Sequence, residues 1–219
     1  VDEVGCFDLG PEGISAVDDP TGLFLEQHHG RVPGTCVAVM MEGRRPMLAE
    51  VQALVTLSGA ERPRRTTSGI DGSRLAMVLA VLQQHCGIRL NGHDVFTSTV
   101  GGARLTEPAS DLAVAVALAS ATFVSPPPKG VVAMGEIGLA GELRRVRDMP
   151  QRLAEAARLG FSMAVVPSEH VQPGGPRSSS SGRVVDGMRV VEAPDVRTAL
   201  RLLHLAERTK HALEVVDPG

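Results

Sequence analysis

The sequence predicts an α+β fold with mixed sheets, and three observations lead to this class. The first 60 residues are β-rich, and an amphipathic helix follows near residue 75. Residues 130–166 then alternate strand, helix and strand, as in a β-α-β unit. Together these patterns indicate a body in which helices pack on strands.

The clearest β-signal lies between residues 35 and 57. Residues 35–41 and 47–57 flank residues 42–46, a connection with Gly and Pro that is typical of a hairpin. Residues 59–69, which contain Arg, Pro and Thr, are predicted to form a loop.

Apolar residues at helical spacing predict the first helix. The positions i, i+3, i+4 and i+7 are occupied by Leu75, Val78, Leu79 and Leu82. Gly87 supplies a stop signal after them.

The middle of the chain is predicted to contain a strand and a second helix. Residues 95–105 have strand character and are interrupted by the glycine pair 101–102. An apolar helix follows that runs to about Thr122, and Ser110 or Asp111 is predicted to cap it.

The next segment carries the β-α-β signal. A strand is predicted at 130–134 and a Gly-punctuated hairpin at 135–143. Asp148 is predicted to cap a third helix that ends at Gly160, and a short buried strand follows at 162–166.

The last part closes the fold. Residues 172–183, with four consecutive serines, are predicted to be a mobile surface loop. A strand at 188–192 and a helix at 196–206 follow it.

We therefore predict one domain in two parts. Residues 1–60 form its β-rich N-terminal part, 61–212 its α+β body, and 213–219 a tail. The sequence starts at Val1 without Met, and we expect the chain to be a fragment of a longer protein.

Composition limits the class of function. Aromatic residues make up 2% of the chain, five Phe with no Trp or Tyr, which weakens any interpretation based on stacking of bases. The net charge is −3, but residues 61–104 carry six Arg against three acidic residues, so a basic face is compatible with an acidic total.

Cysteine use and hydropathy predict a soluble, cytoplasmic protein. Cys6, Cys36 and Cys86 are far apart and form no Cys-x-x-Cys pair, so we expect reduced thiols and no zinc site. The longest apolar runs have eight residues and are too short to span a bilayer, so no membrane partner is expected.

Three motifs together resemble the proteolytic domain of the Lon family: Thr-Glu-Pro-Ala-Ser-Asp-Leu-Ala at 106–113, Gly-Glu-Ile-Gly-Leu-Ala-Gly-Glu-Leu-Arg at 135–144, and Ala-Val-Val-Pro at 164–167. Within that superfamily the chain more closely resembles the C-terminal domain of the RadA (Sms) family. The supporting motifs are Pro-Arg-Arg at 63–65, Arg-Leu-Ala-Met at 74–77, Asp-Val-Phe at 94–96 and Val-Gly-Gly at 100–102. The resemblance implies a Lon proteolytic-domain-like fold, which is shared with ribosomal protein S5 domain 2.

The same resemblance implies that the peptidase residues are missing. Aligning the motifs puts Ala109 at the position of the Lon nucleophilic serine and Pro150 at that of the catalytic lysine. A Ser–Lys dyad needs a hydroxyl within hydrogen-bond reach of an amine of lowered pKa, and neither residue supplies one. Ser110 is one residue away from the nucleophile position, so we interpret it as a helix cap. Neither Lys129 nor Lys210, the two lysines, lies where it could substitute.

No Gly-x-x-x-x-Gly-Lys-Ser/Thr phosphate loop is present, so we expect no ATP binding by this chain. In the RadA family, ATP and Mg belong to an upstream RecA-like ATPase domain, and Zn belongs to a four-cysteine finger before it. We expect both domains to lie outside this chain. The cofactor prediction for the chain itself is none.

Arginine side chains are the remaining candidates for a functional site. Guanidinium groups suit phosphate because they are permanently charged and donate in a bidentate fork. The RadA resemblance implies phosphate contacts for four residues: Arg64, Arg65, Arg74 and Arg144. Three others are interpreted as ordinary surface residues: Arg62, Arg145 and Arg147.

The resemblance implies a role in DNA repair and recombination. The expected partners are single-stranded or branched DNA, further copies of the chain in a hexameric ring, and, through the whole protein, a recombinase of the RecA type. The whole protein would drive branch migration with ATP. Two alternatives stay open: an oligomerisation scaffold without DNA contact, and a serine peptidase with displaced catalytic groups.

Overall fold

An eight-stranded mixed sheet forms the centre of the molecule in a computed structural model of the chain. The structure describes residues 6–10, 13–17, 31–168 and 183–205. The predicted loop residues 172–182, residues 206–212 with Lys210, and the tail at 213–219 lie outside the described residues. The class is α+β, as predicted.

The strands, in chain order, are β1 Cys6–Gly10, β2 Gly13–Val17, β3 Thr35–Glu42, β4 Arg45–Leu57, β5 Arg65–Ser68, β6 His93–Thr99, β7 Val131–Ala133, β8 Glu136–Ile137, β9 Leu143–Arg144, β10 Met163–Pro167, β11 Arg183–Val185 and β12 Met188–Ala193. The helices are α1 Gly72–Cys86, α2 Asp111–Thr122, α3 Met149–Arg158 and α4 Val196–Leu202. Short 3-10 turns cover Val100–Gly102 and Pro108–Ser110.

The large sheet has the order β11-β12-β10-β7-β3-β4-β6-β5. Its centre is the predicted antiparallel hairpin of β3 and β4, in which Ala38 pairs with Ala49. Strands β7, β10 and β12 run parallel on one side, so the predicted β-α-β unit of β7, α3 and β10 is confirmed. Strands β1 and β2 pair with each other, and so do β8 and β9.

Two predicted boundaries were wrong near β6. Residues 59–69 are not a loop throughout, because β5 runs parallel to β6 and forms an edge of the sheet. Its sequence, Arg-Thr-Thr-Ser, has β-branched residues but no apolar alternation, so periodicity could not reveal it. The predicted strand 95–105 ends at Thr99, where a 3-10 turn with Gly101 at φ 66° breaks the ladder.

Helix α1 ends where Gly87 predicted, and its first turn has a cap that was not predicted. Gly87 adopts φ 73° and its N–H bonds to the Leu82 carbonyl, which confirms the stop signal. At the other end Asp71 caps the helix by accepting from the N–H of Arg74 at 2.9 Å.

The other predicted caps differ from the structure. Ser110 precedes α2 with helical dihedrals, and its Oγ donates back to the Glu107 carbonyl at 3.0 Å instead of accepting from the helix. Asp148 precedes α3 at φ 57° and makes no side-chain cap bond. Gly160 does terminate the α3 segment, at φ 83°. Helix α4 ends at Leu202, earlier than the predicted residue 206.

Helices cover the sheet unequally. Helices α1, α2 and α4 bury one face in the larger hydrophobic core, in which α2 is buried along almost its whole length. Helix α3 packs on the opposite face, against β3, β7, β10 and β12. That arrangement leaves the opposite face of β5 and β6 without a helix among the described residues. The described helices contain no segment long and apolar enough to cross a membrane.

A buried ion pair attaches α3 to the rest of the molecule. The side chain of Arg152 is 1% exposed and donates to both carboxylate oxygens of Glu107, at 2.8 and 2.6 Å. It also donates to the carbonyls of Arg147 and Val39. Glu107 in turn accepts from the N–H of Met41 at 2.7 Å. Helix α3, the turn before α2 and strand β3 are thus held together by one guanidinium.

We expect Arg152→Met to destabilise the chain by about 3–5 kcal/mol, because it leaves the Glu107 carboxylate without its cation and two carbonyls without a donor. Urea unfolding followed by circular dichroism measures the change. Arg158→Met on the same helix is the matched control, since Arg158 is 55% exposed, and we expect a loss below about 1 kcal/mol there. Equal losses for the two variants would contradict the assignment.

Candidate nucleic-acid interface

Arg64 lies just before β5, at the edge of the large sheet. Its main-chain N–H donates to Asp94 Oδ1 at 2.7 Å, and this bond lowers the pKa of Asp94 below its usual value. The residue is exposed, and its guanidinium makes no hydrogen bond or ion pair with the residues that the structure describes. Arg64 therefore presents a guanidinium to solvent beside the sheet edge.

Arg65, the first residue of β5, is used differently. Its guanidinium donates to the carbonyls of Arg64 and Leu90, at 2.8 Å each, and to that of His93. These bonds hold the segment between α1 and β6 against the start of β5. Because several of its five N–H donors are already engaged, Arg65 has less capacity to bind a phosphate than Arg64.

Arg74 lies in the first turn of α1 and forms an ion pair with Asp111 at the start of α2. Its Nε donates to Asp111 Oδ1 at 3.2 Å and its Nη2 to Oδ2, which also accepts from the N–H of Ile137 at 3.1 Å. Burial raises the pKa of Asp111, while the bonds from Arg74 and Ile137 oppose that rise. The Arg74 side chain is only 29% exposed, and its positive charge mainly balances the negative charge of the buried Asp111 carboxylate.

Arg144 lies on the β8–β9 hairpin between two carboxylates. Its Nη2 is 2.5 Å from Glu142 and its Nη1 is 3.5 Å from Glu136. Glu142 occupies the space beside Gly138, where a Cβ would overlap the carboxylate. Arg144 is 57% exposed, but its charge is outnumbered by its two acidic neighbours.

The four arginines therefore fall into two groups. Arg64 and Arg65 lie at the start of β5, whereas Arg74 lies beyond its other end and pairs with Asp111. Arg144 pairs with Glu136, a carboxylate that also acts on Asp111. The groups have no contacting partner in common. The first group is the more favourable for an anion, because fewer carboxylates surround it.

The two residues predicted to stand at the Lon dyad positions lie in different environments. Ala109 is buried in the turn before α2, and Pro150 is exposed in the first turn of α3. Ser110 is 5% exposed and lies in a small cleft with Arg74, Glu107 and Asp111, whose described lining contains no lysine.

Lys129 lies at the opposite end of β7 from this cleft. It precedes β7, whereas Gly135, beyond the end of that strand, bonds to the Ala109 carbonyl at 2.9 Å. The extended chain from Val131 to Gly135 alone spans about 13 Å. Lys129 is thus out of reach of the Ser110 hydroxyl.

Sequence reasoning missed the pair of Glu107 and Arg152, which is the most buried charged contact of this region. The only sequence signal was an arginine two positions after Pro150 and directly before the apolar Leu153. A charged residue beside the apolar stripe of an amphipathic helix is usually solvated, so the signal was weak.

Thiols and metals add no further site in the described part of the chain. Cys36 and Cys86 are free, and burial raises their pKa values to about 12 and about 11. Among the described residues no three His, Cys, Asp or Glu side chains are placed to hold a metal ion.

The ion pair of Arg74 with Asp111 predicts a pH-dependent mutant. The pKa of Asp111 lies above the unfolded value of 3.8, so the folded state holds this proton more tightly and stability falls as pH rises through that raised pKa. Arg74→Met raises the pKa further. We expect a loss of about 2 kcal/mol at pH 7 and a much smaller loss below pH 3.8, where Asp111 is neutral in both states.

Urea unfolding at both pH values measures this difference. In an Asp111→Asn background the effect of Arg74→Met should no longer depend on pH. A loss of the same size at both pH values in the parent chain would show that Arg74 acts through packing alone.

The comparisons with known proteins give two results. The family model described as subunit ChlI of Mg-chelatase matches residues 101–170, which is less than half of the chain. Much longer matches are found with DNA repair protein RadA of several bacteria.

The chain is 52% identical to DNA repair protein RadA of Mycolicibacterium smegmatis over 202 residues, which are 92% of this chain and 41% of that protein. It is 46% identical to RadA of Mycobacterium tuberculosis H37Rv over 202 residues, 92% of this chain and 40% of the relative. With RadA of Brucella abortus it shares 47% over 167 residues, 76% of this chain and 36% of the relative.

The chain spans about 40% of the length of these curated relatives. The resemblance to RadA that the motifs indicated is thus confirmed, at identities that random similarity does not produce over such lengths. This chain is a homologue of a segment of the bacterial DNA repair protein RadA.

Proposed function

We propose that the chain is the non-catalytic, Lon-like C-terminal domain of a RadA-type protein in DNA repair and recombination. Residues 1–212 would form that one domain, and upstream zinc-finger and ATPase domains would supply Zn, ATP and Mg. In the whole protein the domain would build a hexameric ring scaffold and help to hold DNA during ATP-driven branch migration, together with a recombinase of the RecA type. The homology to RadA supports the role in repair.

The observation that carries DNA contact is the state of Arg64. Of the four arginines proposed to bind phosphate, it is the one whose guanidinium has no hydrogen bond or ion pair with described residues. A phosphate that approaches it breaks no hydrogen bond or ion pair between this guanidinium and described residues, so the N–H donors are available for a bidentate contact. Such a contact fixes position without reading sequence and weakens as salt rises.

The absence of peptidase chemistry is part of the same proposal. The Ser110 hydroxyl donates a hydrogen bond to the Glu107 carbonyl. The cation that lines the same cleft is Arg74, whose guanidinium cannot act as a base. Ala109 and Pro150 offer neither a nucleophile nor an amine. These features favour a structural role for the region over hydrolysis.

We expect Arg64→Ala to weaken binding of the chain to single-stranded DNA and to reduce the slope of log affinity against log salt by about 0.7, the value for one lost phosphate contact. Fluorescence anisotropy with a labelled oligonucleotide at several salt concentrations measures both quantities. The single variant is preferable to a double change with Arg65, because Arg65 also holds the segment that contains Leu90 and His93.

Arg158→Ala is the matched control for this experiment. It removes the same charge from α3, on the helix that covers the other half of the sheet, where Arg158 pairs with Glu155. If both variants bind with the same affinity and salt slope as the unchanged chain, Arg64 is not a phosphate contact.

A further inference from the structure

One half of a sheet face, on the side opposite α1 and α2, is not covered by any described helix. Side chains alternate along strands, and Val95 and Thr97 of β6 point into the larger core. The intervening Phe96 and Ser98 therefore point to the other side. We call this surface the open face and define it by two cross-strand rows: Leu54, Phe96 and Thr66, and Gln52, Ser98 and Ser68.

The open face is the floor of a groove of about 460 Å³, which is within the range of small-ligand sites. Its rim includes Val32, Pro33 and Thr35, from the segment that enters β3. Leu54 is 61% exposed on this floor, which is unusual for a leucine in a long strand of a large sheet. Helix α3 covers the neighbouring half of the same face but does not reach this one.

The groove combines one aromatic ring with many neutral polar groups. No described residue that lines it carries a charge. Hydroxyl groups of Thr66, Ser68 and Ser98 surround Phe96, which is the single aromatic residue of the described lining. The Gln52 amide also lines the groove and donates to Glu50. A ligand for this floor therefore needs a flat apolar face and polar edges.

Arg64 stands at one end of the open face. It precedes Thr66 by two residues, so strand periodicity puts it on the same side as Thr66 and Ser68, about 7 Å further along. Asp94 lies at the same end, where its carboxylate accepts from the N–H of Arg64 and its charged form is also favoured by the nearby guanidinium charge of Arg64. A negatively charged group beside the groove thus meets a guanidinium that has no hydrogen bond or ion pair with described residues, and the described lining contains no carboxylate.

We propose that the open face binds bases of single-stranded DNA, with a base stacked on Phe96 and the adjoining phosphate held by Arg64. This inference rests on the proposed DNA contact of the chain and adds the place where bases lie. Each row crosses three neighbouring strands and is roughly 10 Å wide, which is enough for about one or two bases.

A nucleic acid fits this surface better than a second copy of the chain would. Bases carry donors and acceptors on their edges that can pair with the hydroxyls of Thr66, Ser68 and Ser98, whereas an apolar protein surface would leave these hydroxyls buried without partners. Stacking on an aromatic ring is tolerant of base identity, which suits a contact without sequence preference.

The test compares two ligands on the 219-residue chain: a labelled oligothymidylate and an abasic oligomer of the same length, which keeps the phosphates and lacks the bases. Phe96→Leu retains apolar volume and removes the aromatic ring. We expect this variant to bind oligothymidylate about five-fold more weakly or worse, and the abasic oligomer unchanged. Arg64→Ala should weaken binding of both ligands.

Phe161→Leu is the matched control, because Phe161 packs beside the α3 core and is absent from the groove lining. It should bind both ligands as the unchanged chain does, and unfolding midpoints verify that all variants fold. Unchanged oligothymidylate binding by Phe96→Leu, or an equal loss on both ligands, would overturn the base site while leaving the Arg64 contact standing.

Sedimentation velocity tests whether a second copy of the chain, and not DNA, occupies the open face. If Phe96→Leu alters self-association of the chain and leaves oligothymidylate binding intact, the open face belongs to a second copy and the base site is wrong. If the unchanged chain binds neither ligand, the proposed DNA contact itself fails, and the base site fails with it.

Discussion

The architecture depends on one buried guanidinium. Arg152 is almost fully buried. Its charge is tolerated there because Glu107 and two main-chain carbonyls accept hydrogen bonds from the guanidinium. Glu107 extends the connection to the backbone of Met41 in β3. Through these bonds α3 stays on one half of the sheet, and the turn that leads into α2 keeps its place. Where helix α3 ends, the open face begins.

The described arginines serve different purposes, and the differences come from their neighbours. Arg152 and Arg65 hold segments together through carbonyl oxygens, and Arg74 compensates a buried carboxylate. Arg144 is balanced by two glutamates. Arg64 alone among the proposed phosphate contacts keeps a guanidinium without a hydrogen bond or ion pair to described residues. A positive charge in a sequence thus indicates a capacity to bind anions, and its partners in the fold decide whether that capacity remains.

Several elements could be predicted because their signals are local. The hairpin of β3 and β4, the body of α1 with its stop at Gly87, and the unit of β7, α3 and β10 follow from periodicity and glycine chemistry. Strand β5 could not be predicted, since it is short and polar and exists through its pairing with β6. The caps at Ser110 and Asp148 were wrong because a turn before each helix sets the backbone dihedrals there.

By itself the sequence determined the α+β class and the family of the chain, because both depend on residue identity and order. Only the tertiary structure decided which arginines are engaged and which sheet face stays uncovered. Both depend on contacts between residues far apart in the chain, such as Arg152 with Glu107 and Leu54 with Phe96. Spacing along a sequence carries no record of such pairings, whose energies arise only when the chain has folded.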